Sequence, residues 1–309
     1  MSRLLIQASN PLCQLQDAGR FGVRHLGVTQ GGAADWLSMA RANALLGNTP
    51  GAAVIEITLG GLTLVAQDDC TLALAGADLA AAIDGQPLKP WRSFSLNKGQ
   101  TLTFTQPLIG ASAYLAAPAG FVAPQVLGSC ATVVREQLGG PDGLGRALVA
   151  GDELRYDGVA PPVRELPLEQ RPVFNPHPVL DLVMGAQIGA FSGQSTFDAF
   201  NSPWTLDSRA DRMGIRLLGP ALEYQGAPMI SEGIPLGAIQ VPPDGQPIVL
   251  LNDRQTIGGY PRLGALTPLA LARLAQCLPG EEVYLRAVTQ EAAQREHVGF
   301  VRQLESPSP

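Results

Sequence analysis

Asp17-Ala-Gly-Arg-Phe-Gly-Val-Arg-His-Leu-Gly27 returns later in the chain as Arg209-Ala-Asp-Arg-Met-Gly-Ile-Arg-Leu-Leu-Gly219. The two phrases are identical at Ala18/Ala210, Arg20/Arg212, Gly22/Gly214, Arg24/Arg216, Leu26/Leu218 and Gly27/Gly219. A second phrase, Asp84-Gly-Gln-Pro87, reappears as Asp244-Gly-Gln-Pro247 in the same order. One short match arises easily by chance; two in order point to a duplicated unit. The spacing between phrases differs, because the first half carries an extra segment that includes a helix opening at Asp35.

At 309 residues the chain is long enough for two cores. Its 35 glycines and 26 prolines suit many short strands joined by turns. Alternating or short apolar runs predict strands at Leu4–Ile6, Ala53–Leu59, Leu62–Val65, Thr71–Ala75, Thr101–Phe104, Ser112–Ala116, Ile239–Val241, Ile248–Leu251 and Val283–Ala287. A turn-plus-strand phrase occurs as Gly99-Gln-Thr-Leu-Thr-Phe104, Gly151-Asp-Glu-Leu-Arg-Tyr156 and Gly280-Glu-Glu-Val-Tyr-Leu285. Its glycine permits a positive φ, and the alternation then turns one strand face inward. Helices are few: one capped by Asp35 and running to Leu46, one opened by Thr267-Pro268 and running to about Cys277, and a short capping box at Ser195–Asp198. The expectation is a mainly β chain of two barrel-like lobes related by internal duplication. Residues 1–160 and 179–300 form the lobes, 161–178 a Pro-rich linker and 301–309 a C-terminal tail.

Composition excludes several function classes. The net charge of −6 offers no basic stripe for nucleic acid. No apolar run reaches about 18 residues, so no membrane span is expected. Cys13, Cys70, Cys130 and Cys277 form no CxxC pair, and His25, His177 and His297 have no ligand spacing, so no metal site is expected. The first residues lack a signal-peptide core, which together with unpaired thiols predicts a cytoplasmic protein. Cys130 has no histidine nearby in sequence and makes a poor nucleophile candidate.

The densest polar chemistry lies between Ile234 and Pro261, where apolar strands alternate with polar tips. Gln240, Gln246, Gln255, Asn252, Thr256 and Tyr260 sit at or near strand ends. Amide side chains offer both donor and acceptor, matching an amide or lactam edge. Asp244 or Asp253 would serve as a base if desolvated, and Gly258-Gly259 would admit a ligand close to the backbone. The plainer alternative is a hairpin with exposed amides. In the first half, Gly31-Gly32 leading into Asp35 would make an anion seat at a helix start, or a plain turn with Asp35 as cap. Asn43 reads as a polar helix position, and Glu56, inside an apolar strand, needs a partner or a function. Arg20 and Arg212, equivalent in the repeat, would either hold a substrate carboxylate from facing lobes or brace equivalent turns.

At these motifs the chain resembles the family formed by the C subunits of bacterial 5-oxoprolinases, which is related to the KipA proteins and to the carboxyltransferase domain of urea carboxylase. The matching phrases are Gln16–Gly22, Gly31–Asp35, Ala42–Asn48, Ile55-Glu56, Gly128-Ser129, Asp211–Gly214 and Gln240–Pro261. The resemblance implies two cyclophilin-like β-barrel subdomains. It also implies a role beside subunits A and B (the latter KipI-like) in ATP-dependent cleavage of the small molecule 5-oxoproline to glutamate. Two departures stand out: Cys130-Ala131-Thr132 replaces the common Arg-Ser-Thr, and Gly-Gly-Ala-Ala-Asp replaces a GGAMD-type phrase. ATP would enter through the complex, since no P-loop occurs. Neither Lys89 nor Lys98 has the methionine flanks of a biotin carrier, so biotin is not carried by this chain. The resemblance leaves two other readings: a biotin-dependent carboxyltransferase acting on a urea-like amide, and a non-catalytic KipA-like regulator of a kinase-inhibitor partner.

Overall fold

The computed structural model describes residues 2–159 and 161–305. The chain divides into two compact units: Met1–Phe21 with Gly31–Val173, and Gly22–Gln30 with Phe174–Pro309. The second unit therefore claims a segment lying within the expected first lobe.

The first unit is built from two antiparallel sheets. One runs in the order Glu153–Tyr156, Ser2–Ala8, Leu62–Ala66, Thr101–Phe104, Ala82–Ile83, Gln86–Pro87. The other runs Cys13–Gln16, Val54–Thr58, Ile109–Ala116, Cys70–Asp78, Arg92–Leu96. Alternation places Leu4, Ile6, Leu62, Leu64, Leu102 and Phe104 from the first sheet in one core with Leu15, Ile55, Ile57, Leu72, Leu96 and Leu115 from the second. Each such side chain contributes roughly 1.5–3 kcal/mol by leaving water. Helix α1, Trp36–Leu45, is capped by Asp35, whose carboxylate accepts the Ser38 N–H. It packs on the second sheet and is buried on most sides, Leu37, Arg41 and Asn43 included.

The second unit is a closed barrel in the order Val179–Met184, Arg262–Leu266, Ala238–Gln240, Ile248–Leu250, Gly214–Leu218, Trp204–Leu206, Glu282–Val288. The ring closes by parallel pairing of Leu180 with Leu285 and its neighbours. Trp204, Leu180, Leu182, Leu217, Ile239, Val249, Leu263 and Val283 fill it. Three helices accompany it: α2, Gly193–Asn201; α3, Pro268–Leu274; and α4, Gln290–Glu305. The fold is mainly β with few helices, as expected.

Local expectations fare unevenly, for physical reasons. All three turn-plus-strand phrases form strands, with Gly99, Gly151 and Gly280 at φ of 86°, 96° and 87°. Thr267 caps α3 with Pro268 in its first turn, and the helix stops at Leu274. α2 starts earlier than its capping box suggests: Ser192 is the cap, and Ser195 accepts the Glu223 N–H from within the helix. α4 has no counterpart among the expected helices, because its many Gln, Glu and Arg residues leave its apolar stripe thin. The tail expected from residue 301 thus begins inside a helix, and 306–309 lie outside the described residues. The expected linker is divided. Arg164 and Leu166 bond to the backbone of Ser93 and Trp91, and Glu165 pairs with Arg92, tying 161–173 to the first unit.

The two copies of the repeat also adopt different structures. Arg24–Leu26 forms a 3-10 turn, whereas the equivalent Arg216–Leu218 lies in a barrel strand. Asp84-Gly85 makes a two-residue hairpin turn with φ of 49° and 80°; at Asp244-Gly245 only the glycine is left-handed, at 75°.

Candidate functional site

In the first unit several of the expected site residues bond to one another or to nearby backbone. Asp17 accepts from the Gly19 and Cys130 N–H groups and from the Ser129 hydroxyl. Arg20, 1% exposed, donates to the carbonyls of Val126, Ser129 and Ala131, the last at 2.7 Å. Its guanidinium pins the 126–131 loop, the bracing alternative of the two readings. Burial beside Asp17 pushes the Cys130 thiol up to about 12, which removes it as a thiolate nucleophile.

The glycine pair before α1 is not arranged as a seat for an external anion. A Cβ on Gly32 would stand 2.9 Å from the Ala18 carbonyl oxygen, so the close approach it permits is to the chain's own backbone. The amides that enter the helix already have acceptors: Ala33 N–H bonds Asp17 O, Ala34 N–H bonds Glu56 Oε2, and Asp35 N–H bonds the Tyr114 hydroxyl. Tyr114 in turn donates to Glu56 at 2.9 Å. Glu56 thereby finds its partner as the resident anion of the helix start. Full burial, together with the charges of Glu56 and Asp35, keeps the Tyr114 phenol well above its ordinary pKa and therefore protonated. Asn43 braces a loop, donating to Pro50 O and Ala52 O and accepting from Asn48.

In the second unit the expected residues separate into two groups. Asp244 and Gln246 belong to a surface turn. Asp244 pairs with Arg216 at 2.5 Å, and Gln246 bonds the Gly219 backbone in both directions. The Gln246 N–H and then Arg216 hold the Asp244 carboxyl below its ordinary value, which makes it a weak base. Asp253 is 8% exposed and accepts from Arg212 at 3.1 Å. Gln240 is buried at a strand end, its Nε2 without a hydrogen-bond partner among the described residues. A Cβ on Gly258 would come within 2.9 Å of that nitrogen and 2.7 Å of Ile234 Cδ1, so only a residue without a side chain packs there. Thr256 contributes its carbonyl, while the Gln255 and Tyr260 side chains reach the surface.

Two residues here carry no local sign of a site in the sequence. Arg24, carried into this unit by the Gly22–Gln30 segment, donates to Ile234 O at 2.8 Å and to Thr256 O at 3.2 Å. Arg254, 2% exposed, donates to the same Ile234 carbonyl at 3.2 Å and to Leu251 O at 3.2 Å, and its Nη2 lies 3.5 Å from Gln30 Oε1. In sequence Arg24 stands out only as a repeat identity, and Arg254 only as a neighbour of Asp253.

Two β-rich units, one of them a closed barrel, define a mainly β fold. The family model for the carboxyltransferase domain, subdomain A and B, matches residues 26–287, and the chain belongs to that family. It is 38% identical to the 5-oxoprolinase C subunit of Haemophilus influenzae, over 90% of this chain and 89% of that one. Identity to the 5-oxoprolinase C subunit of Escherichia coli is 36%, with the same coverage. The solved K. lactis urea amidolyase shares the fold, with a TM-score of 0.91 at 22% identity over 98% of this chain and 20% of that one. No helix among the described residues is long and apolar enough to cross a membrane.

Proposed function

We propose that the chain acts as the C subunit of an ATP-dependent 5-oxoprolinase, opening the lactam of 5-oxo-L-proline to L-glutamate together with A and B subunits. The observation that carries this reading is the near end-to-end match, at 38% identity, to a protein of that name. In this reading the buried end of the second barrel handles the lactam. Gln240 supplies an amide donor. Asp253, oriented by Arg212, is better placed than exposed Asp244 to accept a proton. Glu56 already fills the α1 N-terminus and Gly32 faces Ala18, so these residues do not fit a triphosphate. ATP is assigned to the partner subunits.

Reconstitution with A and B subunits tests the reading by ATP-dependent glutamate release. Release that requires this chain supports it; full release without the chain overturns it. Loss of turnover on adding avidin would instead favour a carboxyltransferase fed by a biotinylated partner.

A further inference from the structure

Arg24 and Arg254 form a pair of cations that share the Ile234 carbonyl as an acceptor. Their other acceptors are neutral as well: the carbonyls of Thr256, Gln255 and Leu251, and the Gln30 amide. Among the described residues no carboxylate makes an ion pair with either. Elsewhere in the same unit Arg209, Arg212, Arg216, Arg262 and Arg286 each pair with a carboxylate. The contrast is physical as well as numerical. Arg254 is almost fully buried, and among the described residues Arg24 Nη1 is buried without a hydrogen-bond partner. Two guanidinium groups drawn from water side by side repel, and carbonyl dipoles compensate only part of that cost. An anion bound by both forks would restore the balance.

Burial, and secondarily the charge of Arg24, lowers the Arg254 pKa to about 9, in line with that uncompensated charge. The same neighbourhood holds a second group without a hydrogen-bond partner among the described residues: Gln240 Nε2, which packs against Gly258, the glycine that also abuts the side chain of Ile234. A cationic pair and an amide donor around one residue, Ile234, call for a ligand with a carboxylate and a carbonyl oxygen.

We infer that Arg24 and Arg254 together bind the carboxylate of the lactam acid substrate, with Gln240 donating to its ring carbonyl. This deepens the proposed function and rests on it. A guanidinium fork meets a carboxylate in two-point fashion, so a neutral lactam should be discriminated against strongly.

Calorimetric titration of the full chain with 5-oxo-L-proline and with 2-pyrrolidinone, its analogue without the carboxylate, tests the inference. Binding of the acid at least tenfold tighter than the neutral lactam is expected, with that advantage abolished in Arg24→Gln. Arg254→Lys, which keeps the buried charge but loses the fork, should weaken acid binding while the circular dichroism spectrum stays native. Equal affinity for the two ligands, undetectable binding of the acid, or unchanged binding in both variants overturns the inference. A reconstituted complex separates this failure from that of the parent reading. A complex that needs this chain, yet keeps its KM for 5-oxoproline with Arg24→Gln, sinks only the carboxylate site. Glutamate release without the chain sinks the function itself.

Discussion

Arg20 and Arg212 occupy the same place in one repeated phrase and do different work. Arg20 is sealed in the first unit, its fork on the carbonyls of Val126, Ser129 and Ala131. Arg212 stays partly accessible in the second and holds the carboxylate of Asp253. The repeat carries residue identity but not environment, and environment decides the role. In one copy arginine replaces missing backbone partners in an irregular loop; in the other it orients an acid.

The sharpest way to break this comparison is Arg20→Ala. Three carbonyls lose their donor inside the protein, and stability should fall by about 3 kcal/mol or more, read from the shift in urea midpoint. A fall below that of the second copy would reverse the assignment. Arg212→Ala should cost less, about 2 kcal/mol, because its pair with Asp253 is only partly buried. In the reconstituted complex it should lower glutamate release at least tenfold by freeing that carboxylate; unaffected kcat would place the pair outside the chemistry.

Tyr114→Phe probes the resident anion of the first unit. It removes the acceptor of Asp35 N–H and a donor to Glu56, and about 1–2 kcal/mol should be lost in thermal or denaturant unfolding. The smallest effect is expected at Asp244→Asn, under about 0.5 kcal/mol at neutral pH, because the pair with Arg216 is exposed and screened. Its pH dependence has a definite sign. The folded carboxyl titrates below its unfolded value of about 3.9, so its contribution is complete above that value and disappears as pH falls through the lowered folded one. The variant should flatten the unfolding curve in that acidic window and nowhere else.

What can be read from the sequence follows from the range of the forces involved. Strand alternation, the glycine before Thr101–Phe104, and the Thr267-Pro268 helix start are set by neighbours a few residues away. The pairing of Glu56 with Tyr114 is legible only as a need, since a lone acid in an apolar strand must find a partner. The Arg24–Ile234 contact spans 210 residues, and no local pattern encodes it. The 161–173 stretch misleads because prolines suit a linker and an edge segment alike, and only its bonds to Trp91 and Ser93 separate the two. Asp244 and Gln246 mislead for a related reason: a ligand-facing tip and a self-satisfied turn use the same residues.

The membership of Gly22–Gln30 in the second unit has a consequence for how the chain is made. During synthesis these nine residues leave the ribosome more than two hundred residues ahead of their acceptors at Ile234 and Thr256. The second unit cannot acquire its full set of partners until both stretches have been made, and a single cut at residue 173 would yield a C-terminal fragment lacking one of its own parts.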